Sequence, residues 1–149
     1  MTWIKGTADQ TIETKVSVED ALSYFTNPER FKEAYTDLES LEQVDENILE
    51  WVLTPKTEMG VTVSPNYRVR YSVSGTGMSW ESAGGNPKAS GELRVYEEAG
   101  VTKVHYKETY EFDVPVPKLL SKALRPIIQR EVESNVAEFL ELSQKSIQA

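Results

Sequence analysis

One feature of the sequence restricts the fold more than any other: a two-residue period holds across Val101–Asp113 and then gives way to a helical period. Val104, Tyr106, Glu108, Tyr110 and Phe112 alternate there with Lys103, His105, Lys107, Thr109, Glu111 and Asp113. Successive side chains of a strand point to opposite faces, so the pattern predicts a long strand with one buried face. Pro115 and Pro117 end it, and Pro117 suits the first turn of a helix. From there to about Ser143, Leu120, Leu124, Ile127, Ile128, Val132, Val136 and Phe139 fall on one broad stripe, whereas Arg130, Glu133 and Glu141 fall off it. Pro126 interrupts the pattern. It costs about 3 kcal/mol in an ordinary helix interior, which predicts a kink or a late helix start.

Upstream, Thr11–Val16 alternates as a strand. Ser17 then stands as an N-cap with Asp20 three positions on, and Ala21, Leu22 and Phe25 recur at helical spacing. Asn27-Pro28 breaks this helix, and a second short one is predicted over Pro28–Tyr35. Strands follow at Leu38–Val44, Ile48–Thr57, Asn66–Ser74, Met78–Ser82 and Ala89–Glu97. Turns are predicted at Asp45–Asn47, Gly75–Gly77, Ala83–Pro87 and Ala99-Gly100. The inward sets are Leu49, Trp51 and Leu53, then Tyr67, Val69, Tyr71 and Val73, then Met78 and Trp80. Consecutive strands joined by short turns make an antiparallel meander with one face on the core.

Charge narrows the function. Sixteen Lys and Arg against 24 Asp and Glu leave a formal charge of −8, the wrong sign for a nucleic-acid module or for general adhesion to an anionic membrane. With no cysteine there is no disulfide, thiolate metal site or cysteine nucleophile. No run approaches the roughly 18 apolar residues of a membrane span, and the first residues lack a signal-peptide core, so a cytoplasmic location is expected. A chain of 149 residues without repeats or linkers reads as one domain, 1–149.

The order of strand, two short helices, a run of strands and one long terminal helix resembles the helix-grip fold of the START, polyketide-cyclase and birch-pollen-allergen superfamily (SRPBCC). Met78-Ser-Trp-Glu-Ser82 followed by Gly85, Gly91 and Leu93 looks like that superfamily's hairpin. Gly100-Val-Thr-Lys-Val-His-Tyr106 looks like its last strand, and Asp113-Val-Pro-Val-Pro-Lys-Leu-Leu120 like the entry to its terminal helix. The resemblance implies an α+β fold in which a curved antiparallel sheet of about seven strands wraps the C-terminal helix. It also implies a hydrophobic cavity between them, entered near the two short helices. The expected role is binding or carrying a small hydrophobic ligand (lipid, isoprenoid, quinone or polyketide-like). The alternatives are a polyketide cyclase or dehydratase, and an accessory protein recruiting a partner to a membrane. Fold alone does not choose among them.

Few residues carry chemistry. His105, the only histidine, lies on the polar parity of its strand beside Lys103 and Lys107, which leaves a Ser-His-Asp triad or a histidine metal site little to work with. Arg68 and Arg70 face solvent by the same parity. Gly75-Thr76-Gly77 lacks the third glycine and following helix of a dinucleotide fingerprint. Neither cofactor nor metal is expected. Glu108 is different: it falls on the buried parity between Tyr106 and Tyr110, where a carboxylate is costly unless paired or protonated. Three readings stay open for it: a group satisfied by the tyrosines or turned out by a bulge, a polar anchor for a ligand, or a general acid/base. Asn135 is placed near the middle of the helix stripe and Glu131 near its edge. The amide there meets either a buried partner or a ligand. Trp51, Tyr67, Tyr71, Trp80, Tyr106 and Tyr110 complete the candidate ligand-binding set, divided between core and cavity.

Overall fold

The computed structural model describes residues 2–148. Strand β1 (Thr2–Thr14) leads through Ser17 into helix α1 (Val18–Phe25) and helix α2 (Pro28–Phe31), which a single 3-10 turn extends over Lys32–Ala34. The Ser17 side chain accepts the Asp20 amide at 3.1 Å, as its capping position predicts, and the Asn27 side chain caps α2 from the Glu29 amide. Strands β2 (Leu38–Asp45), β3 (Ile48–Leu53), β4 (Lys56–Glu58), β5 (Val61–Val63), β6 (Asn66–Ser74), β7 (Gly77–Asn86), β8 (Lys88–Glu98) and β9 (Val101–Val114) follow, and helix α3 (Lys118–Ile147) ends the chain.

Seven strands form one sheet in the order β1-β9-β8-β7-β6-β3-β2, with every pair antiparallel. The first and last strands lie side by side over thirteen residue pairs, Thr2 opposite Val114 and Thr14 opposite Thr102. The core lies between the inner face of the sheet and α3, capped by α1 and α2. Leu93, Val95 and Val104 from the sheet and Val132, Val136, Phe139 and Leu140 from the helix are all buried there. The fold class is the one expected: α+β, a seven-stranded antiparallel sheet gripping a C-terminal helix.

Several boundaries differ from the sequence expectation. β1 begins at Thr2 rather than Thr11. Its inward residues in that stretch are Ile4, Gly6 and Ala8, and the last two are too small to show a hydrophobic alternation. They are small because α3 crosses close: a Cβ on Gly6 would stand 2.7 Å from Val132 Cγ2. Ala83–Asn86 is not a turn but the continuation of β7, and the bend into β8 is confined to Pro87. Arg68 of β6 stands opposite two residues there, a bulge that Gly84 and Gly85 accommodate with φ of 126° and 90°. Beyond Leu53 the strand does not run on to Thr57. Thr54-Pro55 breaks it, and β4 and β5 form a separate hairpin through Met59-Gly60, both with positive φ as a two-residue turn requires. Val73 keeps the inward parity of β6 but lies past the end of the core and is 59% exposed.

Helix α3 is longer than expected, continuing to a buried Ile147, and Pro126 lies within it rather than delaying its start. Pro126 and Lys122, whose carbonyl loses its usual helical donor, are both on the exposed side. The helix also covers the edge of the sheet. Gln129 clamps the Thr7 peptide, accepting its N–H at 2.9 Å and donating to its carbonyl at 2.7 Å. Gln144 donates to the Glu13 carbonyl, and Gln148 accepts from the Lys15 amide. An edge strand otherwise presents unpaired peptide groups, and three glutamines here satisfy some of them.

Candidate functional site

Register places the chemistry. Tyr71 of β6 pairs with Trp80 of β7, Trp80 with Gly91 of β8, Gly91 with Glu108 of β9, and Glu108 with Ala8 of β1. This row runs straight across the inner face of the sheet. Gly91 carries no side chain, and the Trp80 indole lies over it: a Cβ there would stand 2.7 Å from Trp80 Cζ2 and 2.2 Å from the Lys107 carbonyl oxygen. The indole N–H therefore reaches past β8 and donates to Glu108 Oε2 at 2.6 Å. The Tyr106 hydroxyl donates to Oε1 at 3.2 Å. Tyr110 faces the same carboxyl.

Glu108 is 4% exposed. Burial pushes its pKa from an ordinary 4.5 up to about 8, although the Trp80, Tyr110 and Tyr106 donors pull the other way. The group is thus a neutral acid at pH 7, able to donate as well as accept. Desolvation likewise raises the phenols of Tyr35, Tyr67, Tyr71, Tyr106 and Tyr110, and the charge that Glu108 would carry raises them further.

Two spaces adjoin this row. The outer one is an open cavity of about 140 Å3 between the sheet, the β4–β5 hairpin, the Ala34–Asp37 segment and α3. Val61, Val63, Phe112, Leu124, Ile128 and Val132 are among its apolar walls. The inner one is a void of about 20 Å3 among the rings around Glu108, enough for a water molecule but not an organic ligand. Tyr35, Tyr106, Tyr110 and Phe139 line both and form the partition between them. Tyr35 and Phe139 stack with ring centroids 4.2 Å apart, and Phe139 stands 5.7 Å from Tyr106.

The predicted set divides at that partition. Tyr106, Tyr110 and Asn135 touch the open cavity, whereas Trp51, Tyr67, Tyr71, Trp80 and Glu108 border the inner void together with Tyr106 and Tyr110. Trp51 lies nearly parallel to both Phe31 and Tyr67, and its indole N–H donates to the Tyr71 hydroxyl at 3.1 Å. Asn135 is not in the middle of the buried stripe. It is exposed at the cavity mouth, one helical step from buried Val136, and its Oδ1 accepts from Lys56 Nζ at 3.5 Å. Lys56 also pairs with Asp37 at 2.8 Å and Glu131 at 3.3 Å, tying the hairpin to the loop after α2 and to α3. These rim contacts escaped sequence reading. The Met59-Gly60 pair between Lys56-Thr-Glu58 and Val61-Thr-Val63 was the available signal for the hairpin.

Outside the site, His105 pairs with Asp9 at 2.6 Å, while Arg68 and Arg70 pair with Glu50 and Glu81 on the solvent face. Among the described residues, no group of three His, Cys, Asp or Glu is placed to hold a metal ion, and no helix is long and apolar enough to cross a membrane.

Neither a protein-family model nor a curated protein matches the sequence. Solved structures do match. A Thermus thermophilus protein superposes with a TM-score of 0.73 at 21% identity, covering 96% of each chain. The Zhui aromatase/cyclase of a Streptomyces species superposes at 0.73 and 11% identity, over 96% of this chain and 93% of its own. A START superfamily protein of Mycobacterium smegmatis gives 0.69 at 14% identity, over 95% and 98%. The fold is therefore the helix-grip fold that these structures share, as the order of elements implies.

Proposed function

We propose that the protein binds a small hydrophobic molecule in the cavity between the sheet and α3. The observation that carries this reading is a cavity with apolar walls held open beside a fully formed core, with polar groups confined to its rim and to the tyrosines of its inner wall. Such walls take a ligand out of water at about 25 cal/mol per Å2 of apolar surface. At about 140 Å3 the space is smaller than the roughly 300–1,000 Å3 of drug-sized pockets. It suits a slender chain or a single ring system, or a larger ligand admitted by movement of the hairpin. Lipid, isoprenoid, quinone and polyketide-like molecules all contain such a portion.

The test is a titration with the uncharged dye Nile red, alongside native mass spectrometry of the protein as purified. Saturable binding that Ile128→Trp abolishes in a folded variant supports the reading. Its persistence in that variant, or no saturable binding to the parent protein, sinks it.

A second reading rests on Glu108, a neutral carboxylic acid buried behind the cavity's tyrosine wall. It would supply a proton to a ligand in the cavity through the Tyr106 hydroxyl, which contacts its carboxyl and lines both spaces, as a cyclase or dehydratase requires of a general acid. Under that reading Glu108→Gln lowers turnover roughly 100- to 10,000-fold without unfolding the protein; under simple carriage it leaves the ligand chemically unchanged in both proteins.

A further inference from the structure

The charged groups that line the cavity are unbalanced. Asp37, Glu58, Glu131 and Glu138 stand on its lining with one cation, Lys56. The inner void adds Glu108 and no cation among the described residues. Lys56 is therefore the only basic side chain among the described residues that borders either space, and it is already engaged. Asp37 and Glu131 hold it at 2.8 and 3.3 Å, and Asn135 occupies a further side at 3.5 Å. These hydrogen bonds and charges outweigh desolvation and raise its pKa. Glu138 accepts from the neutral Thr36 hydroxyl at 2.6 Å, which leaves its charge uncompensated. Glu58 has no ion-pair partner among the described residues.

A fatty carboxylate entering this cavity would bring a further negative charge to a lining where four carboxylates face one ammonium. It could reach Lys56 only by displacing two carboxylates. An ammonium or a hydroxyl meets no such cost: the rim offers acceptors at Glu131, Asn135 and Glu138. Resting on the binding function proposed above, we infer that the cavity selects amphiphiles by the charge of their polar end, taking a long-chain amine first, an alcohol next and a carboxylate last.

The test is competition against bound Nile red by octylamine, octanol and octanoate at pH 7, with chain length held constant. At low salt octylamine should compete at least about tenfold better than octanoate. The ratio should shrink toward parity at 1 M salt, where the screening length is about 3 Å. Removing rim charge with the double variant Glu131→Gln, Glu138→Gln should narrow the low-salt ratio, and Lys56→Gln should widen it. Octanoate matching or beating octylamine, or a ratio unmoved in the double variant, overturns the inference while leaving the cavity a binding site. If none of the three displaces a dye that binds saturably and is lost in Ile128→Trp, the inference falls and the functional reading beneath it stands.

Discussion

The indole N–H of Trp80 donates to the Glu108 carboxyl at 2.6 Å from two strands away. Neighbouring strands lie about 4.8 Å apart, so the contact spans roughly 9–10 Å of sheet. Only a side chain as long as tryptophan, lying over a residue with no side chain, closes that distance. Trp80, Gly91 and Glu108 therefore act as one unit: the glycine makes the path, the indole fills it, and the carboxyl gains a partner inside an aromatic core.

Stability should report the neutral state of Glu108. Its pKa is raised on folding, so between about 4.5 and about 8 the folded protein binds more protons than the unfolded one. By linkage its contribution is fully present below the unfolded value and is lost as pH rises through about 8. Glu108→Gln imitates the protonated form, with one acceptor for Trp80 and a donor for Tyr106. Urea unfolding at pH 6 and pH 9 should show the variant gaining a few kcal/mol on the parent at the higher pH. A difference between the two proteins that does not change with pH would mean that Glu108 is not buried as a neutral acid.

Trp80→Phe should push Glu108 further in the same direction. The indole hydrogen bond lowers the pKa, so its loss should raise it above about 8. A carboxyl-carbon NMR titration reads this directly, and an unchanged or lower midpoint would show that the hydrogen bond does not favour the charged form.

Gly91→Ala probes the same path by blocking it. The added methyl would stand 2.2 Å from the Lys107 carbonyl oxygen and 2.7 Å from the indole, so backbone or ring must move. The expected cost is about 1–3 kcal/mol or more in denaturant titration, with a shift in Trp80 fluorescence. A neutral substitution would show that the indole does not depend on that gap.

The inward row of β9 was legible because every alternate residue from Val104 to Phe112 is large or polar in the right sense. The glycine path to Trp80 was not, since pairing of strands far apart in sequence sets it. Small inward residues hid the first half of β1, because Gly6 and Ala8 give helix α3 room rather than apolar surface. The Ala83–Pro87 stretch carries turn residues, yet its glycines supply the backbone angles of a bulge. Asn135 follows the helical period near the stripe, but periodicity cannot show where the sheet stops covering a helix. At that place α3 faces the mouth, and Asn135 meets Lys56 instead of a buried partner.

Phe139 separates the two spaces, and removing it should have two linked effects. The side chain is 4% exposed, stacks on Tyr35 and contacts the rings of Phe25, Phe31 and Tyr106. Truncation to alanine should cost about 3–5 kcal/mol. It should also join the inner void to the outer cavity, because one of the four shared side chains disappears. Water or a ligand could then reach Glu108, relieving the desolvation that raises its pKa, and the midpoint should fall from about 8 toward the ordinary 4.5. Phe139→Leu keeps most of the volume and serves as the folded comparison if the alanine variant proves too unstable, with a smaller shift of the same sign. Denaturant unfolding measures the first effect, and the Glu108 NMR titration measures the second. A large stability loss with an unmoved Glu108 midpoint in both variants would mean that the neighbouring tyrosines alone keep the inner void closed, so that Phe139 is core and not a partition.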